Sequence, residues 1–380
     1  MSVDSRTNSG ARPRLVLVVG IGRSGTSLFT GMLGQLGFHV PQPEVRADET
    51  NPRGFSEPRW VVDFHSRLMR ERRVTVFDSR PAAWEEMGGV ADDPEVFEEL
   101  RSWLAVQLVG RSKLVIKDPR IGWFLPLWLS CAEALGLETV FATMLRHPAE
   151  MVASARQWYG TWQNDASRGA AWLNMTLQTE SATRGARRAF IRYDDLLEDW
   201  PREISRTGEL LDLPSLVGLE RSGYPAIDAF VDPALRRSAA GWEEVAVPQP
   251  LQELLDDVWS RVSGLAAPGG DNGETHAALD ASRAAYVEFY SGAEAIAQSS
   301  LTAVKPRGRP VATAAPRTKS RNGRGSKASL RQRLTEGGVL EGGLAGLPLR
   351  VALLVPTRYR ERVPMPIVRA GLRIVRKLSR

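Results

Sequence analysis

The residues best placed by type and spacing to do chemistry lie in Gly20-Ile-Gly-Arg-Ser-Gly-Thr-Ser27, directly after the apolar run Leu15-Val-Leu-Val-Val19. Glycines let the backbone curl so that successive N–H groups converge on an anion. A helix beginning at Ser27 brings its positive N-terminus to the same point. The spacing fits the phosphate loop G-x-x-x-x-G-K-[ST] at every fixed position but one: Thr26 stands where a nucleoside triphosphatase sets its lysine. The cation has moved inside the loop, as Arg23. Gly22, Arg23, Ser24, Gly25, Thr26 and Ser27 are therefore read as an anion cradle, though not one for a kinase's triphosphate. The bland alternative is a glycine-rich turn that binds nothing.

A second anchor is Leu145-Arg-His-Pro-Ala-Glu-Met-Val-Ala-Ser154. Arg146 ends a strand-like run, Pro148 suits the first position of a helix, and Ser154 follows two turns on. Guanidinium and hydroxyl can thus face one pocket above the carboxyl ends of the strands, where open α/β sheets bind ligands. Taken alone, an arginine such as Arg146 is more often part of a surface or structural ion pair.

The elements that must position these groups are legible as alternating patterns. Leu15–Val19, Leu114–Ile116, Thr139–Leu145 and Ala189–Tyr193 are short apolar runs of the kind found in buried parallel strands. Helical patterns fall at 27–36, 60–70, 95–109, 123–135, 148–159, 196–212 and 249–299. Strands separated by helices predict an α/β fold, a P-loop-like three-layer sandwich with a central parallel sheet. Residues 1–13 are polar and expected to be disordered, residues 14–301 form the folded domain, and 302–335 read as a flexible basic linker rich in Pro, Gly, Ser and Arg. Residues 336–380 form a basic amphipathic tail.

Together the two anchors resemble the sulfotransferase superfamily that uses 3′-phosphoadenosine 5′-phosphosulfate (PAPS), in its bacterial carbohydrate- or lipid-modifying form. Arg23-Ser-Gly-Thr26 is similar to the family's basic-Ser-Gly-Thr core, and Arg146 with Ser154 has the spacing of the element that holds the 3′-phosphate. Arg192-Tyr-Asp-Asp-Leu196 is similar to a Tyr-Glu-Asp-Leu signature, which places Tyr193 near the adenine. The resemblance covers residues 14–240 and implies PAPS as donor, a hydroxyl on a carbohydrate or glycolipid as acceptor, and no metal. Sulfuryl transfer requires cations at the equatorial and leaving-group oxygens. Arg23 fits that task, and Lys117, at the end of Leu114-Val-Ile-Lys117, can reach the transferring group or form a salt bridge with Asp118.

The proton acceptor departs from the cytosolic branch of the family, whose histidine position is Pro119 here. Other members use a Glu after the first helix, which makes Glu57 the first candidate and Glu49 the second, within Asp48-Glu-Thr-Asn-Pro-Arg-Gly-Phe-Ser-Glu57. Each is equally readable as a helix cap or as a partner of Arg53 or Arg59. His65 is a third candidate, in a helical stretch where a lone His more often faces solvent. Asp232-Pro-Ala-Leu-Arg-Arg-Ser238 loosely resembles a late basic element that closes over the 3′-phosphate. Trp158, Tyr159, Trp162, Trp172, Trp200 and Trp242 are stacking candidates, with core packing the commoner role.

The 380 residues are 43% hydrophobic and 25% charged, which excludes collagenous, disulfide-scaffold and wholly disordered classes. Cys131 is the single cysteine, and the four histidines show no metal-ligand spacing. No apolar signal region or membrane-length run is present, so a cytoplasmic location is expected. Nineteen Lys and Arg against three Glu fall between Thr302 and Arg380, whereas the preceding residues carry 31 basic and 41 acidic side chains. In Pro364–Arg380, Ile367, Gly371, Ile374, Val375 and Leu378 gather on one helical side, opposite Arg369, Arg373, Arg376, Lys377 and Arg380. That pattern predicts peripheral attachment to an anionic inner membrane face. Nucleic acid and the acidic main domain are the competing partners. A P-loop kinase-like enzyme and an inactive nucleotide-binding adaptor remain the rival functions.

Overall fold

The four apolar runs become strands because β-branched and large aliphatic residues on both faces of each run can all be buried only inside a covered parallel sheet. The structure, a computed structural model, describes residues 12–159, 162–231 and 240–304, with side chains to Gln298. The expectations for most of residues 1–13, for Asp232–Ser238, for the linker beyond Val304 and for the tail lie outside these residues.

Strand β1 (Arg14–Val19) leads into helix α1 (Thr26–Gln35), followed by α2 (Arg59–Glu71), α3 (Ala83–Gly88) and α4 (Pro94–Gln107). Strand β2 (Lys113–Lys117) passes through a 3-10 turn into α5 (Leu125–Ala134), and β3 (Glu138–Leu145) into α6 (Pro148–Tyr159). Helix α7 (Asp165–Ala182) precedes β4 (Arg188–Arg192), α8 (Tyr193–Glu198), α9 (Trp200–Leu210) and α10 (Pro225–Phe230). Helices α11 (Gln249–Gly264) and α12 (Gly273–Val304) complete the described part.

The sheet order is β2-β1-β3-β4 and every pair is parallel. Alternation sorts the strand residues between two cores. Leu15, Leu17, Val19, Ile116 and Phe141 pack with α2 and α4–α7, α11 and α12, while Val16, Val18, Val115, Val140 and Ala142 pack with α1, α8 and α9. The predicted three-layer α/β architecture is thus present.

Three boundaries differ from expectation. The helical run 196–212 divides at Asp199, where the backbone is non-helical (φ −143°) and Trp200-Pro201 starts a new helix. The run 249–299 divides at Ala267-Pro-Gly-Gly270, with Gly269 at φ 73°. Helix α12 continues through Val304, past the expected domain edge at 301.

Candidate active site

Each strand ends by presenting one functional element on the same edge of the sheet. Strand β1 opens into the Gly20–Ser27 loop, β2 ends on Lys117, β3 is followed by Arg146 and β4 by Tyr193. The chain leaves β1 for β2 on one side and β3 lies on the other, so the loop sits where strand order reverses, the usual ligand position in such sheets.

The loop has the backbone that its glycines permit. Gly20 lies at φ 130° and Gly25 at φ 90°, and a Cβ on Gly25 would collide with the Tyr193 ring. Arg23 also adopts a left-handed conformation, φ 76°, which turns its side chain within the loop at some cost in strain. Helix α1 begins with no side-chain cap and no acidic residue in its first turn. Its first N–H groups, which no helix can satisfy internally, are left for an anion.

The two predicted anchors are joined to each other. Arg23 Nε donates to Ser154 Oγ at 3.0 Å, and Arg146 Nη1 donates to the Arg23 carbonyl at 3.1 Å. The buried Glu150, one turn along α6, accepts from Arg146 Nε at 2.9 Å and fixes the guanidinium. Arg146 lies 4.8 Å above the centre of the Tyr193 ring and Arg23 5.7 Å from that of Tyr159.

Lys117 and Glu57 form a buried ion pair with 2.5 Å between Nζ and Oε1. Lys117 also donates to Ser27 Oγ at 3.0 Å and to the Phe55 carbonyl at 3.4 Å. Glu57 is held in place by its own carbonyl, which accepts from Val45 N–H at 2.8 Å, and by the Arg59 N–H to Pro43 carbonyl bond, also 2.8 Å. Burial raises the Glu57 pKa, the Lys117 ammonium opposes that rise, and the net direction is upward. Lys117 therefore pairs with Glu57, not with Asp118, and Arg59 pairs with Asp63 at 2.9 Å.

Asp118 turns inward instead. Its carboxylate meets His65 Nδ1 at 2.9 Å and Arg120 Nη1 at 2.7 Å, and Trp128 Nε1 donates to His65 Nε2 at 3.0 Å. Burial pushes Asp118 up, but His65 and Arg120 outweigh it and bring the carboxyl down to about 2. His65 is wholly buried rather than solvent-facing, with its pKa lowered by burial, and both ring nitrogens are engaged in the core. The expectation of an exposed helix histidine fails because its partners come from the residue directly after β2 and from α5.

One open cleft is lined by Gly22, Arg23, Gly25, Thr26, Ser27, Glu57, Lys117, Arg146, Ser154 and Tyr193. Ser24 lies beneath the loop and is buried, and its side chain lines a separate small cavity. Glu49 is exposed and outside the cleft lining. The stacking candidate Tyr159 is also in that lining, and the structure adds Thr50, Arg53 and Phe230. Arg53 donates to the carbonyls of Ala229 and Phe230 at 2.7 and 2.6 Å, so the 50–55 loop closes against the end of α10. Among the aromatic candidates, Trp172 and Trp200 are core residues. Among the described residues no cluster of His, Cys, Asp and Glu could hold a metal, and no helix is long and apolar enough to cross a membrane.

No family model and no curated protein matches the sequence. Among solved structures, the chain is similar to the sulfotransferase domain of the Synechococcus PCC 7002 olefin synthase, with 19% identity and a TM-score of 0.39 over 66% of this chain and 96% of that one. It is also similar to the sulfotransferase domain of the curacin biosynthetic pathway, with 17% identity and a TM-score of 0.38 over 67% of this chain and 99% of that one.

Proposed function

We propose that this protein transfers a sulfuryl group from PAPS to a hydroxyl of a carbohydrate or glycolipid acceptor. The observation that carries the reading is the meeting, in one cleft, of an anion cradle with an internal arginine, a second arginine–serine anchor, and a buried lysine–glutamate pair. Residues Gly22–Ser27 would hold the 5′-phosphosulfate, Arg146 and Ser154 the 3′-phosphate, and Tyr193 the adenine. The donor supplies an activated sulfuryl group, and the chain's own residues bind, orient and take the proton.

Glu57 is the assigned proton acceptor, since it lines the cleft and Glu49 does not. Without substrate its carboxylate is covered by Lys117. A sulfuryl oxygen entering the cleft competes for the same ammonium. As Lys117 turns to that oxygen, its counter-charge leaves Glu57, and the buried carboxylate becomes a stronger base. The acceptor oxygen then bonds to sulfur, and the bond from sulfur to the 5′-phosphate oxygen breaks with its electron pair remaining on phosphate. The hydroxyl proton passes to Glu57. Arg23 and Lys117 provide the positive charge that Mg²⁺ gives a kinase. Peripheral attachment to an anionic membrane through residues 336–380 is proposed on their sequence pattern alone.

The test is calorimetric titration of the intact chain with adenosine 3′,5′-bisphosphate, then with ATP and Mg²⁺. Micromolar, metal-independent binding of the bisphosphate with little for ATP is expected. The reverse order would replace this reading with the kinase-like one.

A further inference from the structure

A second, open cavity adjoins the proposed donor cleft and shares Gly22, Phe55, Glu57, Pro119 and Tyr159 with it. Glu57 thus stands at the junction, where a hydroxyl entering from the second cavity meets the carboxylate. Beyond that junction the apolar lining comes from Val45, Val62, Val76, Phe77 and Trp162. The charged residues of the lining are already neutralised within the protein. Arg59 pairs with Asp63 at 2.9 Å, and Arg120 with Asp118 at 2.7 Å.

A site for a bare sugar needs several side-chain donors and acceptors arranged around the ring, because each buried hydroxyl that loses water must be repaired by the protein. Apart from Glu57, the charged groups of this cavity are the Arg59–Asp63 and Arg120–Asp118 pairs, which bond to each other, and the remaining wall is mostly aliphatic and aromatic. Trp162, at 57% exposure, is the one aromatic among the large hydrophobic side chains exposed in the described residues. It stands on this cavity. An apolar ligand body lying along Val76 and Phe77 would also take that ring out of water.

Resting on the sulfuryl-transfer reading above, we infer that the acceptor is an amphiphilic alcohol. Its reacting hydroxyl points to Glu57, and its apolar body lies along Val76, Phe77 and Trp162. Of the two acceptor classes expected from the sequence, this selects the one with a lipid-like portion.

The experiment uses the intact chain saturated with adenosine 3′,5′-bisphosphate and titrated with methyl, butyl, hexyl and octyl β-glucosides below their micellar concentrations. Affinity is expected to rise by about 2–4-fold for each added methylene, as for the transfer of an alkyl chain out of water. The slope should fall to near 1-fold in Trp162→Asp, at a position 57% exposed, and drop in the milder Val76→Thr, chosen because Val76 packs partly against the core. Bisphosphate affinity should be unchanged in both variants. A flat series in the wild-type chain, or tighter binding of cellobiose than of octyl glucoside, overturns the inference while leaving the donor assignment intact. A slope that survives both substitutions overturns the assignment to this cavity. Failure of the bisphosphate itself to bind removes the underlying reading, and the inference with it.

Discussion

Replacing Glu57 by Gln removes one charge from the buried pair while keeping an oxygen that Lys117 can still donate to. Both side chains are under 10% exposed, so solvent does not screen their attraction. Breaking a buried pair on one side costs about 3–5 kcal/mol, because the remaining charge stays in low dielectric. The amide oxygen, Ser27 Oγ and the Phe55 carbonyl remain as acceptors for Lys117, which places the loss near 3 kcal/mol. For a folded unit of about 290 residues that lowers Tm by about 5 °C. Adenosine 3′,5′-bisphosphate at 100 times its Kd returns about 2.7 kcal/mol and therefore most of that loss. Turnover should drop by about 10²–10⁴-fold, the usual contribution of a positioned general base. Bisphosphate affinity should hold or improve, since the unpaired ammonium gains an anion. The wild-type kcat/KM profile should fall as pH drops through the Glu57 pKa. That acid limb should lie above the ordinary carboxylate range, because burial raises this group, and the Gln variant should lack it. The assay is paired: initial rates of bisphosphate release across pH, and calorimetry of bisphosphate binding. Turnover within about threefold of wild type, or a loss of bisphosphate affinity parallel to the loss of turnover, would refute Glu57 as the base.

Arg146→Ala should weaken the 3′,5′-bisphosphate by about 2–4 kcal/mol and the 5′-monophosphate much less; equal losses by calorimetry would remove its role at the 3′-phosphate. Gly25→Ala forces a Cβ into the Tyr193 ring at a left-handed position, and bisphosphate binding should vanish while circular dichroism reports an intact fold. Retained affinity would show that the loop is not the donor site. His65→Phe leaves Asp118 and Trp128 each short of a buried partner, at about 1–3 kcal/mol apiece, visible as a lower Tm. The acid limb of the rate profile should persist in that variant, and its disappearance would make His65 the base instead. Deleting residues 336–380 should release the protein from anionic vesicles with donor affinity unchanged; continued binding would place the membrane contact elsewhere.

The strands and the loop were legible because their signals are local. A fully apolar run reads as a buried strand whatever surrounds it, and two of the loop's three glycines, Gly20 and Gly25, sit where the backbone takes positive φ. The Lys117–Glu57 pair was not legible: 60 residues separate the two, and sequence alone set Asp118 beside Lys117 as the obvious partner. Helix α7 was missed for a different reason. Its buried residues include Asp165, Arg168, Asn174 and Glu180 alongside Trp172 and Leu173, so it lacks the contrast between an apolar and a polar side that periodicity detects. Tyr159 was legible as an aromatic but not as a cleft residue, since only the end of α6 turning over Gly22 brings it there.

The bond from Arg146 to the Arg23 carbonyl has a consequence for how nucleotides are told apart. If Arg146 holds the 3′-phosphate as proposed, the group that recognises it also braces the loop proposed to hold the 5′-phosphosulfate, and the two phosphates are felt together. On the proposed assignment, a nucleotide lacking the 3′-phosphate leaves Arg146 held by Glu150 and the Arg23 carbonyl alone, without the further anion that would tighten that bracing. Discrimination is then divided between residence and reaction: the wrong nucleotide stays a shorter time and, while it stays, is held by a less ordered loop. Selectivity measured by equilibrium binding should accordingly be smaller than selectivity measured by turnover, and transplanting either anchor alone onto another scaffold should carry over only the smaller part.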